Sequence, residues 1–326
     1  MTRLLGYMGV RPGNPQPTLI VAVLNLEKDP GIARLRNVLK ERILSMPRFR
    51  SRLVFGKGKP HWEEVELDLG YHFEVYGFSR KVSEEEVSKV ITDMKIRGLD
   101  LRHPLWRCVH IPEMEDGTSR LIFCIHHCIG DGVGLVNVLL FRIVDEREEL
   151  ETKSDATVKK RASKPNVSKS TQARVAVKGF FEGHTGVFWK QDRRNPLKLV
   201  GVPSQEKLIA RSSKYISLDQ VKLIAKTVGE GTTINDVLMA TFSKTLGYYM
   251  RDICHEESNT IKSRKLRAQF PVNMRKKGEK FNQHGDPNNQ FVLGMIHLPM
   301  KEFESNKELI LAIKRNIDEY KVSPAA

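Results

Sequence analysis

The chain has 326 residues, 40% of them hydrophobic, enough for two ordinary domains with packed cores and too apolar for disorder throughout. Its 54 Lys and Arg against 39 Asp and Glu leave a net charge of +15, a surface suited to anionic partners such as nucleic acid, acidic lipid headgroups or the phosphates of a cofactor. Four cysteines, Cys108, Cys124, Cys128 and Cys254, make no disulfide framework and point to a reducing compartment. No signal-peptide core is visible in residues 1–7, and the apolar run 19–24 is too short to span a bilayer, so any lipid partner would be met from the surface.

Pro12, Pro15 and Pro17 make the start irregular. Residues 18–26 then read as a buried strand, and 31–46 as a helix with Ile32, Leu35, Leu39 and Ile43 on one face, ended by Pro47. Arg48, Arg50 and Arg52 alternate, as on one solvated strand face or, as a second reading, a phosphate-binding strand. Ser83 and Glu86 form a capping box that opens a helix over 84–94. Pro104-Leu105-Trp106 leads into a strand over 107–111, and the acidic turn 113–117 joins it as a hairpin to the apolar run 121–123.

That second strand runs into His126-His127-Cys128-Ile129-Gly130-Asp131-Gly132, followed by a helix over 133–150 with Val133, Val136, Leu139, Leu140 and Ile143 at helical spacing. The histidine pair therefore sits at a strand end, where α/β proteins present side chains to ligands. Imidazole exchanges protons near neutral pH, so it suits general base catalysis on an alcohol. Adjacent strand residues point to opposite sides, so one of the two faces a given cleft. Gly130 and Gly132 read as sites of permissive backbone angles. Zinc is disfavoured because Cys124 and Cys128 lie close together with no second ligand pair nearby. A dinucleotide fingerprint over Gly130, Gly132 and Gly134 is disfavoured because the third glycine is misplaced.

Residues 151–200 hold twelve Lys and Arg against four Asp and Glu, a net +8. The first twenty read as a flexible linker, and residues 173–189 mix Val, Phe and Trp with basic residues, as in a segment lying in a lipid interface. Beyond them come a strand over 211–217 and a helix capped by Ser217 and ended by Gly229. A second helix opens at Thr233-Ile234-Asn235-Asp236. Strands over 265–272 and 292–298 and a helix over 306–322 complete the chain.

The H-H-x-x-x-D-G spacing resembles the motif of the chloramphenicol-acetyltransferase-like superfamily of CoA-dependent acyltransferases, which includes peptide condensation domains. Pro47-Arg48-Phe49-Arg50 and Pro104-Leu105-Trp106 precede it. Asn235-Asp236, Pro271-Val272-Asn273-Met274-Arg275 and Asn289-Gln290-Phe291 follow it. In this order they resemble the wax ester synthase/diacylglycerol acyltransferase family, and residues 192–198 resemble the crossover of its plant-type members. Arg107 stands where that family often has an acidic residue, and Asn288 where a glycine is usual.

The resemblance implies an α/β fold of two chloramphenicol-acetyltransferase-like domains with mixed sheets flanked by helices. They would be 1–150 and an incomplete 207–326, joined by the basic crossover 151–206, with the active site in a channel between them. It implies His127 as general base with His126 beside it, and Asp131 and Gly132 as architecture of the turn. Arg275 would be the partner of Asp131, tying the turn to the second domain. Asn235 and Asp236 form a further structural signature, and Pro104, Leu105 and Trp106 are candidates for the substrate channel. No metal and no permanently bound cofactor is implied. Fatty acyl-CoA is the implied co-substrate, and diacylglycerol or a long-chain alcohol the acceptor. The implied surroundings are an anionic membrane or lipid-droplet surface, hence an intracellular place at the endoplasmic reticulum, on droplets or in the cytoplasm. Nucleic acid is not expected, since no aromatic-basic platform accompanies the charge. Two alternatives stay open: a condensation-type acyltransferase with another acceptor, and a non-catalytic member that binds lipid surfaces.

Overall fold

The computed structural model describes residues 18–56, 59–139, 143, 196–197, 216–229, 231–264, 266–275 and 287–321. The basic crossover, apart from Pro196 and Leu197, the strand expected over 211–217, apart from its last two residues, and most of the helix expected beyond Leu139 lie outside them. The chain divides into two compact units. The first holds residues 1–159, 204–213 and 275–290, and the second holds 160–203, 214–274 and 291–326.

The first unit is built on a four-stranded mixed sheet in the order β1 (Leu19–Leu26), β6 (Ser119–His126), β5 (Trp106–Ile111), β4 (Phe73–Val75). β1 pairs antiparallel with β6, Leu19 facing His126. β5 pairs antiparallel with β6 through the hairpin, and parallel with β4. All eight residues of β6 are buried, because helices cover both faces. On one face Leu121, Phe123 and Ile125 pack with Leu35 of α1 (Ile32–Val38) and with Leu39 and Ile43, where the helix widens into a π turn. On the other, Ile122 and Cys124 pack with Val87, Val90 and Met94 of α3 (Glu84–Arg97), which follows the short α2 (Leu69–His72). The Ser83–Glu86 capping box forms as its sequence predicts and holds the start of α3.

The three alternating arginines do not make one strand face. Arg48 lies in a 3-10 turn, Pro47–Phe49, and only Arg52 lies in β2 (Ser51–Val54), which pairs with β3 (His61–Glu64). Arg50 and Arg52 form ion pairs with Glu64 and Glu63 across this ribbon. Opposite charges there offset one another, so both arginines are paired with protein carboxylates.

In the second unit, β7 (Leu266–Asn273) and β8 (Phe291–Leu298) form an antiparallel pair. Among the described residues four α-helices accompany them: α5 (Leu218–Val228), α6 (Ile234–Tyr248), α7 (Ser258–Ser263) and α8 (Asn306–Lys321). Ile310, Ile313 and Ile317 of α8 recur at helical spacing and meet Val237 and Ala240 of α6 and Ile296 and Leu298 of β8 in one core. No helix among the described residues is long and apolar enough to cross a membrane.

Candidate active site

The histidine turn grows from the end of β6. His126 N–H donates to the Leu105 carbonyl at 2.9 Å, and His127 N–H donates to the Thr18 carbonyl at 2.8 Å. The backbone thus continues the sheet by one residue on either side before it turns. Ile129 N–H closes the turn on the His126 carbonyl at 3.0 Å. Asp131 then caps α4 (Gly132–Val138), its Oδ1 accepting from Gly134 N–H at 2.8 Å. This is ordinary N-cap chemistry, and it explains a small polar acid at this position by itself.

The second oxygen of Asp131 reaches much further along the chain. Oδ2 accepts from Arg275 Nη1 at 3.0 Å and from Gln290 N–H at 2.7 Å. Arg275 Nη2 donates to the Asn288 carbonyl at 2.7 Å, and Asp131 N–H points to the same carbonyl at 3.4 Å. The pair is well screened from water, with side chains 10% and 5% exposed. Burial alone would raise the Asp131 carboxyl. The hydrogen bonds from Arg275, Gly134 and Gln290, with the Arg275 charge, overcome it and hold the carboxyl below its usual range. Arg275 pairs with Asp131 as the resemblance implies, and both residues are grouped with the first unit.

Two further contacts clamp the turn. Arg48 Nη1 donates at 2.9 Å to both the Ile129 and Pro287 carbonyls. Asn289 faces His127 twice. Its Nδ2 donates to the His127 carbonyl at 3.0 Å, and its Oδ1 lies 3.0 Å from His127 Nδ1.

The glycines of the motif serve space and not unusual angles, since none of them has a positive φ. A Cβ on Gly130 would come within 2.7 Å of Pro287 Cβ. On Gly134 it would crowd Arg275 Nη2 at 3.2 Å and the Asn288 carbonyl at 3.3 Å. Gly132 has open space around it, and nothing in the structure requires glycine there.

The two histidines have separate surroundings. His126 is 1% exposed, and its Nδ1 accepts from Cys128 N–H at 3.1 Å. Burial, with His127 next to it, pushes its pKa down to about 4. Its Nε2 has no hydrogen-bond partner among the described residues. His126 is therefore a neutral ring bonded within the turn. His127 is only partly buried and carries the Asn289 contact. Burial pushes the Cys124 thiol up to about 11 and the Cys128 thiol up to about 12, so both stand protonated at neutral pH.

The candidates for the substrate channel belong to the core. Leu105 is 1% exposed and Trp106 is fully buried. The Trp106 indole donates to the Phe49 carbonyl at 2.8 Å and stacks on His72 at 4.5 Å. Their service to the site is indirect, through the Leu105 carbonyl that receives His126 N–H. Arg107, unusual at its place, is held by Glu74 of the neighbouring β4 and lies over the Tyr71 ring.

In the second unit Asn235 is exposed and Asp236 is 1% exposed. Asp236 Oδ2 accepts from Thr233 N–H at 2.7 Å and Thr233 Oγ1 at 2.8 Å, completing a capping box at the start of α6. Its Oδ1 is buried with no hydrogen-bond partner among the described residues.

The fold, with its mixed sheet and the strand-end turn, is that of the chloramphenicol-acetyltransferase-like acyltransferases. A wax ester synthase/diacylglycerol acyltransferase from Marinobacter aquaeolei VT8 aligns over 98% of this chain and 71% of its own at a TM-score of 0.55 and 18% identity. The first condensation domain of the CDA synthetase aligns over 93% and 68% at 0.56 and 13%. Residues 13–193 match the wax ester synthase/diacylglycerol acyltransferase catalytic domain, and the chain belongs to that family. The probable diacylglycerol O-acyltransferase Tgs4 of Mycobacterium tuberculosis is 24% identical over 248 residues, covering 66% of this chain and 50% of its own. The chain thus spans about half the length of the curated relatives it matches.

Proposed function

We propose that the protein is an acyl-CoA-dependent O-acyltransferase that esterifies diacylglycerol or a long-chain alcohol, with His127 as the general base. The observation that carries the reading is the motif turn. In a chain of this family, one histidine of the pair is sealed and neutral. The other stands partly open on a turn clamped by Asp131, Arg275 and Asn289.

His127 takes the proton of the acceptor hydroxyl as its oxygen attacks the thioester carbonyl. The tetrahedral intermediate collapses with cleavage of the carbon–sulfur bond. The imidazolium returns the proton to the departing CoA sulfur. The ester is left and the ring is again neutral. Asp131 and Arg275 take no proton in this scheme and fix the turn. A basic surface, +15 over the chain, supports approach to CoA phosphates and to an anionic membrane or lipid-droplet surface.

Incubation of the protein with labelled palmitoyl-CoA and separate pools of hexadecanol and diacylglycerol, followed by lipid separation, tests the reading. Label in wax ester or triacylglycerol is expected. Release of CoA without ester, or no turnover of either pool by a folded protein, would overturn it.

A further inference from the structure

We infer that Asn289 is a positioning residue that selects the tautomer of His127 and so leaves the lone pair on Nε2. The inference rests on the reading of His127 as the general base. It adds the group that decides which ring nitrogen does the work.

The His127 carbonyl can only accept, so the Asn289 atom 3.0 Å from it is the amide nitrogen. Rotating the amide by half a turn would set two oxygens against each other. With the nitrogen so placed, Oδ1 faces His127 Nδ1 at 3.0 Å. An amide oxygen also only accepts, so Nδ1 carries the proton. A neutral imidazole has one N–H, and the lone pair therefore stays on Nε2. Free histidine favours the opposite tautomer, so the Asn289 contact works against the intrinsic preference of the ring.

The amide is held in place by its neighbours. The Asn288 carbonyl accepts from Arg275, Gln290 N–H donates to Asp131, and the Pro287 carbonyl accepts from Arg48. Four successive residues are thus each bonded to the motif or to its supports. The side chain that reads His127 is fixed before substrate arrives, which is where positioning groups act most strongly. A carboxylate fills this place in many hydrolase triads. Here a neutral amide does, anchored by the backbone carbonyl of the very histidine it orients.

The test reads the tautomer directly. Nitrogen NMR of the full chain labelled at histidine nitrogen, with His127→Gln to locate the signals, should give an N–H-type shift for Nδ1 and a lone-pair-type shift for Nε2 at a pH where the ring is neutral. Asn289→Leu should shift the ring toward Nε2–H and lower kcat about tenfold to a hundredfold, with KM changed little. Asn289→Asp keeps an acceptor against Nδ1 and adds a negative charge. It should keep the tautomer, recover kcat at high pH and move the acid limb of kcat/KM upward in pH. A protonated Nε2 in the native protein overturns the inference with no variant needed, and so does an unchanged tautomer in Asn289→Leu. Acyl transfer that survives in His127→Gln would defeat the base assignment alone. The spectra would still decide what Asn289 does.

Discussion

Asp131 and Asp236 both stand at helix starts, and they differ in reach. Asp236 closes a capping box on Thr233, three residues away, and one of its oxygens has no hydrogen-bond partner among the described residues. Asp131 uses one oxygen as an ordinary cap and the other to gather Arg275 and Gln290, 144 and 159 residues further along. At the third helical position Asp236 is local architecture, whereas at the cap itself Asp131 is also a long-range fastener. The difference follows from the partners: a carboxylate has enough acceptor positions for a cap and for a charged clamp together.

The largest test of that difference is Arg275→Leu. It strips the charged partner from a carboxyl that is 5% exposed, and should destabilise the first unit by about 3–5 kcal/mol in urea unfolding followed by Trp fluorescence. A loss below about 1 kcal/mol would mean the clamp is not a structural fastener.

Acid should sharpen the contrast next. His72 and His126 are buried in the first unit, and burial pushes each down to about 4 from 6.5. Below 6.5 the unfolded chain takes up protons that these folded rings refuse. Stability should fall from pH 6.5 to about 4 by about 1.4 kcal/mol per pH unit for each histidine. The Asp131 carboxyl is held low when folded, so its contribution is present above about pH 4 and is lost as pH falls below that. Urea titrations at successive pH values check both windows. His126→Asn, which removes one of the two rings, should flatten the first.

The smallest effect belongs to the local cap. Thr233→Ala removes one side of the capping box at α6 and should cost about 1 kcal/mol, read as helical circular dichroism in urea. A cost comparable with Arg275→Leu would erase the distinction between the two aspartates.

The sequence carried the strands, the capped helices and the motif because these are short-range patterns. β6 reads as an apolar run, α3 announces itself with Ser83 and Glu86, and H-H-x-x-x-D-G is a local spacing. The ion pair Asp131–Arg275 was legible through resemblance, whereas its place inside one unit was not. That place depends on Arg275 and Gln290 reaching Asp131 from far along the chain, which no local signal encodes. Asn289 stood out only as part of a segment resembling the family, because an Asn before an apolar strand looks like any turn residue. Trp106 is legible as a channel candidate or a packing residue, and its indole bonded to the Phe49 carbonyl and its ring stacked on His72 place it in the core. Which side of a strand meets the core is settled by packing. The sequence suggests permissive backbone angles at Gly130, whereas its reason is the nearby Pro287 ring, invisible without the fold.

The central claim is that a single imidazole, that of His127, accepts the proton. The direct measurement is acyl transfer from palmitoyl-CoA by His127→Ala beside the native protein, with circular dichroism and urea midpoint recorded for both. Loss of about 100- to 10,000-fold in kcat with stability nearly unchanged is the predicted result. Native turnover in the variant would contradict it.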